Sequence, residues 1–277
     1  MAEFYLTGPQ SQGYGGKSNE LVNVVCDGKS LLLSPDWVGD EAVMMAEKLQ
    51  NVPIITGSDR FQTGRYALEN FEIDTLILDD GFQHLALRRD LDILLCDHQR
   101  PLGNNHLFPA GELREPASET QRADMVCFTR YLGGPVKFSQ KFLGSIPQIK
   151  THLRLDSIIN MENDDVCDAE ALKNQPVVAF CGIANPEGFR QILEDSQVQL
   201  KVFKAFPDHH VYSLQDIKDL ESRALEEGGK LILVSEKDAV KLKDIKFSLP
   251  FYKVVIDLEI LEGREIFNKK ISAITST

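Results

Sequence analysis

The chain has 277 residues, of which 43% are hydrophobic and 26% are charged, and its formal net charge is −12. This length suffices for one large domain or two ordinary ones. The acidic balance argues against a nucleic-acid partner, which would need a basic face. The five cysteines include no CxxC pair, which argues against a zinc site or a redox pair and fits a reducing compartment. No signal peptide or transmembrane span is predicted.

A glycine-rich segment near the start, Gly13–Ser18, ends in Gly-Lys-Ser, as a phosphate-binding P-loop does. The complete P-loop pattern needs a glycine five positions before the final glycine, where this chain has Ser11. It also needs a preceding apolar strand, for which Phe4–Leu6 is barely sufficient. We therefore do not interpret Lys17 as a P-loop lysine.

The first predicted helix runs from about Asp40 to Gln50, because apolar residues recur there at helical spacing. Asp40 and Glu41 lie in its first turn, where a carboxylate can cap the helix and interact favourably with its dipole. A short strand, Val52–Ile55, is predicted next. Arg60 follows it, and could pair with a phosphate in a fork geometry or form an ordinary surface salt bridge.

The central predicted element is Thr75–Leu78, a continuous apolar run that indicates a strand buried on both faces of a parallel sheet. Asp79 and Asp80 follow at its carboxyl end, where open α/β sheets bind ligands. Because adjacent carboxylates repel each other, they favour either a Mg²⁺ site or the cap of the next helix. Two polar side chains beyond the turn could reach the same space: Gln83 and His84.

Beyond this strand, Arg88 and Arg89 could offer positive charge to a phosphate or remain solvated on the surface. The segment Pro101–Pro116 is rich in Gly, Pro and Asn and lacks periodicity. It is predicted to be a long ordered loop, of the kind that is usually functional. The charged end of this loop consists of Arg114 and Glu115.

Strand, polar strand end and helix recur along the chain, which predicts an α/β fold built on a parallel, doubly wound sheet. Residues 146–174 read as an extended linker, because polar and apolar residues alternate through Ile149–Ile159 and no clear helix is indicated before Ala169. We therefore predict a first domain of residues 1–145 and a smaller C-terminal α/β domain of residues 175–277. In this second domain, Ser213 is predicted to cap a helix from about Leu214 to Glu226.

The chain resembles the tetraacyldisaccharide 4′-kinase (lipid A 4′-kinase) family in three long segments: DDGFQH at Asp79–His84, LRRD at Leu87–Asp90 and PLGNNHLFPAGELREP at Pro101–Pro116. The other similar segments, in family order, are GYGGKS (Gly13–Ser18), GDE (Gly39–Glu41), AFCGIANPEGF (Ala179–Phe189), FPDHH (Phe206–His210) and SEKDAVKL (Ser235–Leu242). Several long segments in one order are more specific than any single motif.

The resemblance implies an ATP- and Mg²⁺-dependent kinase that phosphorylates the 4′-hydroxyl of tetraacyldisaccharide 1-phosphate in lipid A biosynthesis. It implies a P-loop-NTPase-like parallel sheet domain plus a smaller α/β domain. We expect the first domain to be N-terminally truncated, without the family's GGTGKT-type P-loop, and Gln12 stands where the family usually has Arg. Because a P-loop holds the β- and γ-phosphates, the alternative is a catalytically impaired fragment or a non-catalytic lipid-sugar-binding homologue.

The resemblance also implies roles for individual residues. Asp40 would be the general base that takes the proton of the sugar hydroxyl, and Asp79 and Asp80 would hold the metal. The candidate substrate- and phosphate-binding residues are Glu41, Arg60, Arg88, Arg89, Arg114 and Glu115. The substrate's acyl chains imply peripheral contact with the inner membrane at its cytoplasmic face. Three apolar loop residues could contact acyl chains or cover the core: Leu102, Leu107 and Phe108.

Adjacent positions in the Asp208–His210 segment cannot easily direct their side chains at one ion, so a metal site is disfavoured there. We expect instead that His209 or His210 pairs with Asp40 across a domain cleft and orients the base. The sequence does not choose between the two histidines, and exposed histidines in a loop are the alternative. Two more residues could line the same cleft: Lys237 and Asp238.

Overall fold

The computed structural model describes residues 5–7, 17–18, 20–243 and 245–275. Ser11, Gln12 and most of the Gly13–Ser18 segment therefore lie outside the described residues, together with the predictions made for them. Among the described residues, no helix is long and apolar enough to cross a membrane.

The strands are β1 (Tyr5–Thr7), β2 (Asn23–Asp27), β3 (Pro53–Thr56), β4 (Ile77–Leu78), β5 (Ile93–Asp97), β6 (Met125–Thr129), β7 (Gln148–Asn160), β8 (Val166–Asp168), β9 (Pro176–Cys181), β10 (Gln199–Ala205), β11 (Leu231–Ser235) and β12 (Phe251–Glu262). The helices are α1 (Pro35–Val38), α2 (Asp40–Lys48), α3 (Arg60–Asn70), α4 (Gln140–Leu143), α5 (Pro186–Asp195), α6 (Leu214–Glu226), α7 (Glu236–Ala239) and α8 (Arg264–Thr275). Most strand pairs are parallel, so the predicted α/β fold is confirmed.

The chain forms two compact units, one of residues 1–79 and 154–257 and the other of residues 80–153 and 258–277. These units differ from the predicted division at residues 146–174. The reason is visible in the packing of the first unit, where Val240 lies among the buried side chains of Val25, Val43 and Ile54. The beginning of the chain and a segment beyond the predicted linker therefore share one core, and the predicted linker itself contributes the long strand β7.

The first unit contains a sheet of order β2-β3-β1-β4, in which β1 is parallel to both β3 and β4. The predicted strand Thr75–Leu78 shortens to Ile77–Leu78 and is half-buried. The expectation of burial on both faces is wrong because β4 stands at the edge of this sheet. Asp79 and Asp80 do follow its carboxyl end, as predicted.

The same unit holds parallel strands in the order β10-β9-β11-β12. Strand β9 reads PVVAFC, and its last five residues are buried, as expected for a strand covered on both faces. Helix α6 packs Ile217 and Leu220 into the core formed with Phe180. Ser213 caps this helix in a reciprocal capping box with Asp216, which confirms the predicted helix start.

The second unit is built on β5, β6 and the first part of β7, all parallel. Its main core contains Val126, Phe128 and Phe138. The Pro101–Pro116 segment contains turns and no helix or strand beyond an isolated bridge between Leu107 and Leu113. The prediction of a long loop is therefore confirmed.

Candidate active site

Asp40 is a buried carboxylate at the start of α2, with only 6% of its surface exposed. Gly39 precedes it with φ of +93°, a conformation that L side chains avoid. Gly39, and not Asp40, is the N-cap residue. Asp40 Oδ1 accepts the backbone N–H of Glu41 at 3.1 Å. A carboxylate is favoured at this position by the positive end of the helix dipole.

His209 pairs with Asp40. Its Nδ1 lies 3.1 Å from the Asp40 carboxylate. The backbone of His209 is left-handed, with φ of +58°, which is uncommon for a residue other than glycine and marks functional sites more often than chance. Its N–H donates to the Gly182 carbonyl at 3.2 Å. The strained turn is therefore tied to the end of β9 and directs the imidazole at Asp40.

His210 points elsewhere. Its Nε2 lies 3.4 Å from Asp216 at the start of α6, and its ring stacks on Phe206 with centroids 4.6 Å apart. The pKa of Asp216 is lowered, first by the Ser213 hydroxyl and also by His210. The structure thus selects His209 as the partner of Asp40. Both belong to the first compact unit, so the expectation that the pair bridges two domains is wrong.

Lys237 lies on the far side of the His209 ring. Its Nζ is 3.0 Å from Glu41 Oε1, 3.2 Å from Asp208 Oδ1 and 3.3 Å from His209 Nε2. Burial lowers the pKa of Lys237, but the carboxylates of Glu41, Asp40 and Asp208 outweigh burial and leave that pKa raised. Lys237 is therefore an ammonium at neutral pH. Glu41, Lys237 and the Asp40 pair, each predicted separately, form one cluster.

Asp238 and Lys241 are largely buried charged residues next to this cluster. Asp238 is fully buried and accepts the N–H of Gly182 at 2.7 Å and the hydroxyl of Ser235 at 2.6 Å. Lys241 lies 2.7 Å from Asp238 and 3.5 Å from Asp40. The sequence reasoning missed Lys241, although it stands four residues after Lys237 in the SEKDAVKL segment.

A second group of predicted residues lies in the second unit. Glu115 forms a two-oxygen ion pair with Arg122 at 2.7 and 3.1 Å, and Arg122 stacks over the Phe82 ring. The Arg122 guanidinium lowers the pKa of Glu115, with a smaller contribution from Gln83. The sequence reasoning missed Arg122, whose only signal is its acidic neighbour Glu119, three residues earlier.

Asp80 has a left-handed backbone, with φ of +47°, and its carboxylate accepts from Arg114 at 2.6 Å. Asp79 is exposed, and the boundary between the compact units falls between these two residues. Within the described part of the chain, no group of three His, Cys, Asp or Glu side chains could hold a metal ion. A site made only of protein ligands is therefore not preformed in those residues.

The two predicted arginines of the LRRD segment differ. Arg89 forms a two-oxygen ion pair with Asp92 and donates to the carbonyls of His84 and Leu87. Its guanidinium therefore holds this turn together. Arg88 is exposed, so its side chain is accessible to solvent. Arg60 is half-buried at the start of α3.

A protein-family model described as LpxK, tetraacyldisaccharide-1-P 4′-kinase, matches residues 7–275. The chain is 39% identical over 264 residues to a tetraacyldisaccharide 4′-kinase of Syntrophus aciditrophicus, covering 90% of this chain and 71% of that protein. It is 38% identical over 249 residues to one of Desulfotalea psychrophila, covering 87% and 71%. These relatives are named as kinases, so they favour the predicted kinase and do not support the alternative of an impaired or non-catalytic homologue.

The fold is similar to a crystal structure of LpxK from Aquifex aeolicus, described as an "apo" form in complex with ATP. The TM-score is 0.78 at 31% sequence identity, and the match covers 99% of this chain and 79% of that one. The similarity therefore extends over both compact units.

Proposed function

Because the chain belongs to the tetraacyldisaccharide-1-P 4′-kinase family, we propose that it transfers the γ-phosphoryl group of ATP to the 4′-hydroxyl of tetraacyldisaccharide 1-phosphate. The observation that carries this proposal is the contact of 3.1 Å between Asp40 and His209. It supplies a buried carboxylate, oriented by an imidazole, at the N-terminus of a helix. Such a pair suits a base that accepts the proton of an attacking hydroxyl.

In this reaction, Asp40 takes the proton of the 4′-hydroxyl as the new O–P bond forms and the bond to the ADP oxygen breaks. Phosphoryl transfer depends mainly on positioning and on stabilising charge. His209 and Lys241 both lie against the Asp40 carboxylate, and they hold it in place for the hydroxyl. We also propose that the parallel sheet is like that of P-loop NTPases, as the family resemblance implies.

Mg²⁺ would arrive with ATP and would supply positive charge that offsets the charge of the phosphates. Mg²⁺ commonly binds through one or two carboxylates together with water and substrate phosphates, and Asp79 and Asp80 are two carboxylates next to each other in the chain. This donor set fits a metal that arrives with the nucleotide. Arg114, 2.6 Å from Asp80, would keep that carboxylate oriented and would offer its guanidinium to a phosphate bound beside it.

The lipid part of the substrate would meet apolar surface in the second unit. Phe108 is 80% exposed, and Leu107 is also exposed, whereas Leu102 packs against the core. An exposed aromatic ring on a long loop suits contact with acyl chains or with the membrane interface. We infer peripheral contact with the cytoplasmic face of the inner membrane through this loop.

The test is a kinase assay of the full-length protein with ATP, Mg²⁺ and tetraacyldisaccharide 1-phosphate, comparing wild type, Asp40→Asn and His209→Gln. We expect Asp40→Asn to lower kcat by about 10²- to 10⁴-fold, the usual effect of losing a general base. His209→Gln should lower kcat less, since the carboxylate remains. The matched control is Asp219→Asn on the exposed face of α6. An Asp40→Asn enzyme that keeps more than about a tenth of the wild-type kcat would contradict the assigned role.

A further inference from the structure

The His209 imidazole is held at both ring nitrogens. Nδ1 faces the Asp40 carboxylate at 3.1 Å, and Nε2 faces the Lys237 ammonium at 3.3 Å. The side chain of His209 is 19% exposed and that of Lys237 is 11% exposed. Both nitrogens therefore face protein partners, and both side chains are largely buried.

The Lys237 ammonium has three N–H donors and no lone pair. Three acceptors surround it: Glu41 Oε1 at 3.0 Å, Asp208 Oδ1 at 3.2 Å and His209 Nε2 at 3.3 Å. Each donor thus has one acceptor. The raised pKa of Lys237, in which the neighbouring carboxylates outweigh the effect of burial, keeps this donor-only character at neutral pH.

A neutral imidazole has one N–H and one lone pair, and its neighbours decide which nitrogen carries the hydrogen. An N–H on Nε2 would face the N–H of an ammonium, and a lone pair on Nδ1 would face the Asp40 carboxylate. The opposite tautomer satisfies both contacts, because Nδ1–H donates to Asp40 and Nε2 accepts from Lys237. Hydrogen bonding therefore favours the Nδ1–H form.

Asp208 acts in the opposite sense, since its Oδ2 lies 3.7 Å from His209 Nε2 and would favour a hydrogen there. That distance is longer than the 3.3 Å to Lys237, and the other Asp208 oxygen already accepts from Lys237. Lys241 also lies against Asp40, so a second donor group faces that carboxylate beside the His209 ring. The nearer ammonium decides the tautomer.

We propose that Lys237 is a positioning residue that holds His209 in the Nδ1–H tautomer, so that the imidazole donates to Asp40 and cannot pass a proton onward through Nε2. The part of this inference that concerns catalysis rests on the proposed function. His209 then orients the base without relaying its proton. Asp40 itself keeps the proton until the phosphorylated product leaves.

The first test is spectroscopic and needs no activity. Full-length protein with ¹⁵N-labelled histidine is examined by long-range ¹H–¹⁵N correlation, about two pH units above the ordinary histidine pKa of ~6.5. His209→Gln identifies the signals of His209 among the six histidines. We expect a protonated Nδ1 and an unprotonated Nε2 in wild type. An unprotonated Nδ1 in wild type would overturn the proposal whatever the variants do.

The variants test whether Lys237 is the cause of this tautomer. In Lys237→Met the Nε2–H form of His209 should become substantially populated, whereas Lys237→Arg, which keeps the donors, should retain the wild-type pattern. The matched control is Lys218→Met on the exposed face of α6, which should leave the pattern unchanged. A folded Lys237→Met protein with the wild-type tautomer would refute the role of Lys237. If Lys237→Met does not fold, Lys237→Gln takes its place with the same two outcomes.

Kinetics then separate this inference from the proposed function. Lys237→Met should lower kcat about tenfold, which corresponds to a rise of about 1.4 kcal/mol in the activation free energy. The KM for ATP should be unchanged, and Lys237→Arg should restore kcat. If Asp40→Asn keeps its activity, the proposed function fails while the tautomer assignment stands. If Asp40→Asn is inactive but His209 carries its hydrogen on Nε2, the inference about Lys237 fails while the proposed function stands.

Discussion

Replacing Asp238 by Ala should strongly destabilise the first compact unit. The Asp238 carboxylate is fully buried, accepts two hydrogen bonds of 2.7 and 2.6 Å from Gly182 and Ser235, and lies 2.7 Å from the Lys241 ammonium. Lys241 is only 13% exposed, so it would lose its near partner without gaining full hydration. The backbone N–H of Gly182 would lose its acceptor as well.

The magnitude follows from these contacts. Removing one partner of a buried ion pair costs about 3–5 kcal/mol because the other charge is left uncompensated. Each hydrogen bond to a charged group contributes about 1.5–3 kcal/mol, but these effects overlap because one carboxylate makes all the contacts. We therefore expect Asp238→Ala to lower the free energy of unfolding by about 3–5 kcal/mol. Removing Lys241 too, in Asp238→Ala/Lys241→Met, should recover part of that loss.

Urea denaturation followed by tryptophan fluorescence measures this effect. Trp37 is the only tryptophan of the chain and belongs to the first unit, so its signal reports that unit. Asp219→Ala, at an exposed position, should change the free energy of unfolding by less than about 0.5 kcal/mol. The reasoning would be refuted if Asp238→Ala lowered the free energy of unfolding by less than about 1 kcal/mol. It would also be refuted if the double variant were less stable than Asp238→Ala by the full cost of a second buried charge.

Three further predictions concern other parts of the chain. In urea denaturation, Glu115→Gln should lower the stability of the second unit by about 1 kcal/mol at pH 7 and should have no effect well below pH 4.5. The reason is that Arg122 lowers the pKa of Glu115 from its usual 4.5, so the stabilisation is lost as pH falls through the lowered value. An equal loss of stability at both pH values would contradict this. Ser213→Ala removes the capping box of α6 and should lower the free energy of unfolding by about 1 kcal/mol, whereas Ser213→Thr, which keeps the hydroxyl, should restore it. Burial raises the pKa of Cys181 to about 12, so mass spectrometry after brief iodoacetamide treatment should show modification of the half-buried Cys167 and none of Cys181.

Local patterns in the sequence predicted the elements that carry the site. Helical periodicity placed Asp40 at the start of a helix, and the observed helix α2 begins at that residue. The capping residue Ser213 correctly marked the start of α6. These predictions succeed because helix periodicity and capping act over three or four residues, which the sequence shows directly.

The strand before Asp79 shows what such local patterns do not predict. An apolar run predicts a strand, but its burial depends on how many neighbours cover it. The run became the short strand β4 at the edge of a sheet, so it is half-buried. In the same way, the alternation of polar and apolar residues predicted an extended linker at residues 146–174, but not that its strand β7 pairs with β6 and β8.

The choice between His209 and His210 was beyond the sequence, since the two residues are adjacent and chemically identical. Only the left-handed backbone at His209, tied to Gly182, directs one ring at Asp40 and the other at Asp216. Asp40 and His209 are separated by 169 positions in the chain.

The sequence by itself thus determined which chemical groups the protein carries, where its helices begin, and which family it resembles. Tertiary structure alone decided which of those groups meet: His209 with Asp40, Lys237 with Glu41, and Lys241 with Asp40. The physical reason is distance along the chain. Periodicity and capping are properties of neighbouring residues, whereas a contact between remote residues exists only once strand order and core packing have brought their backbones together.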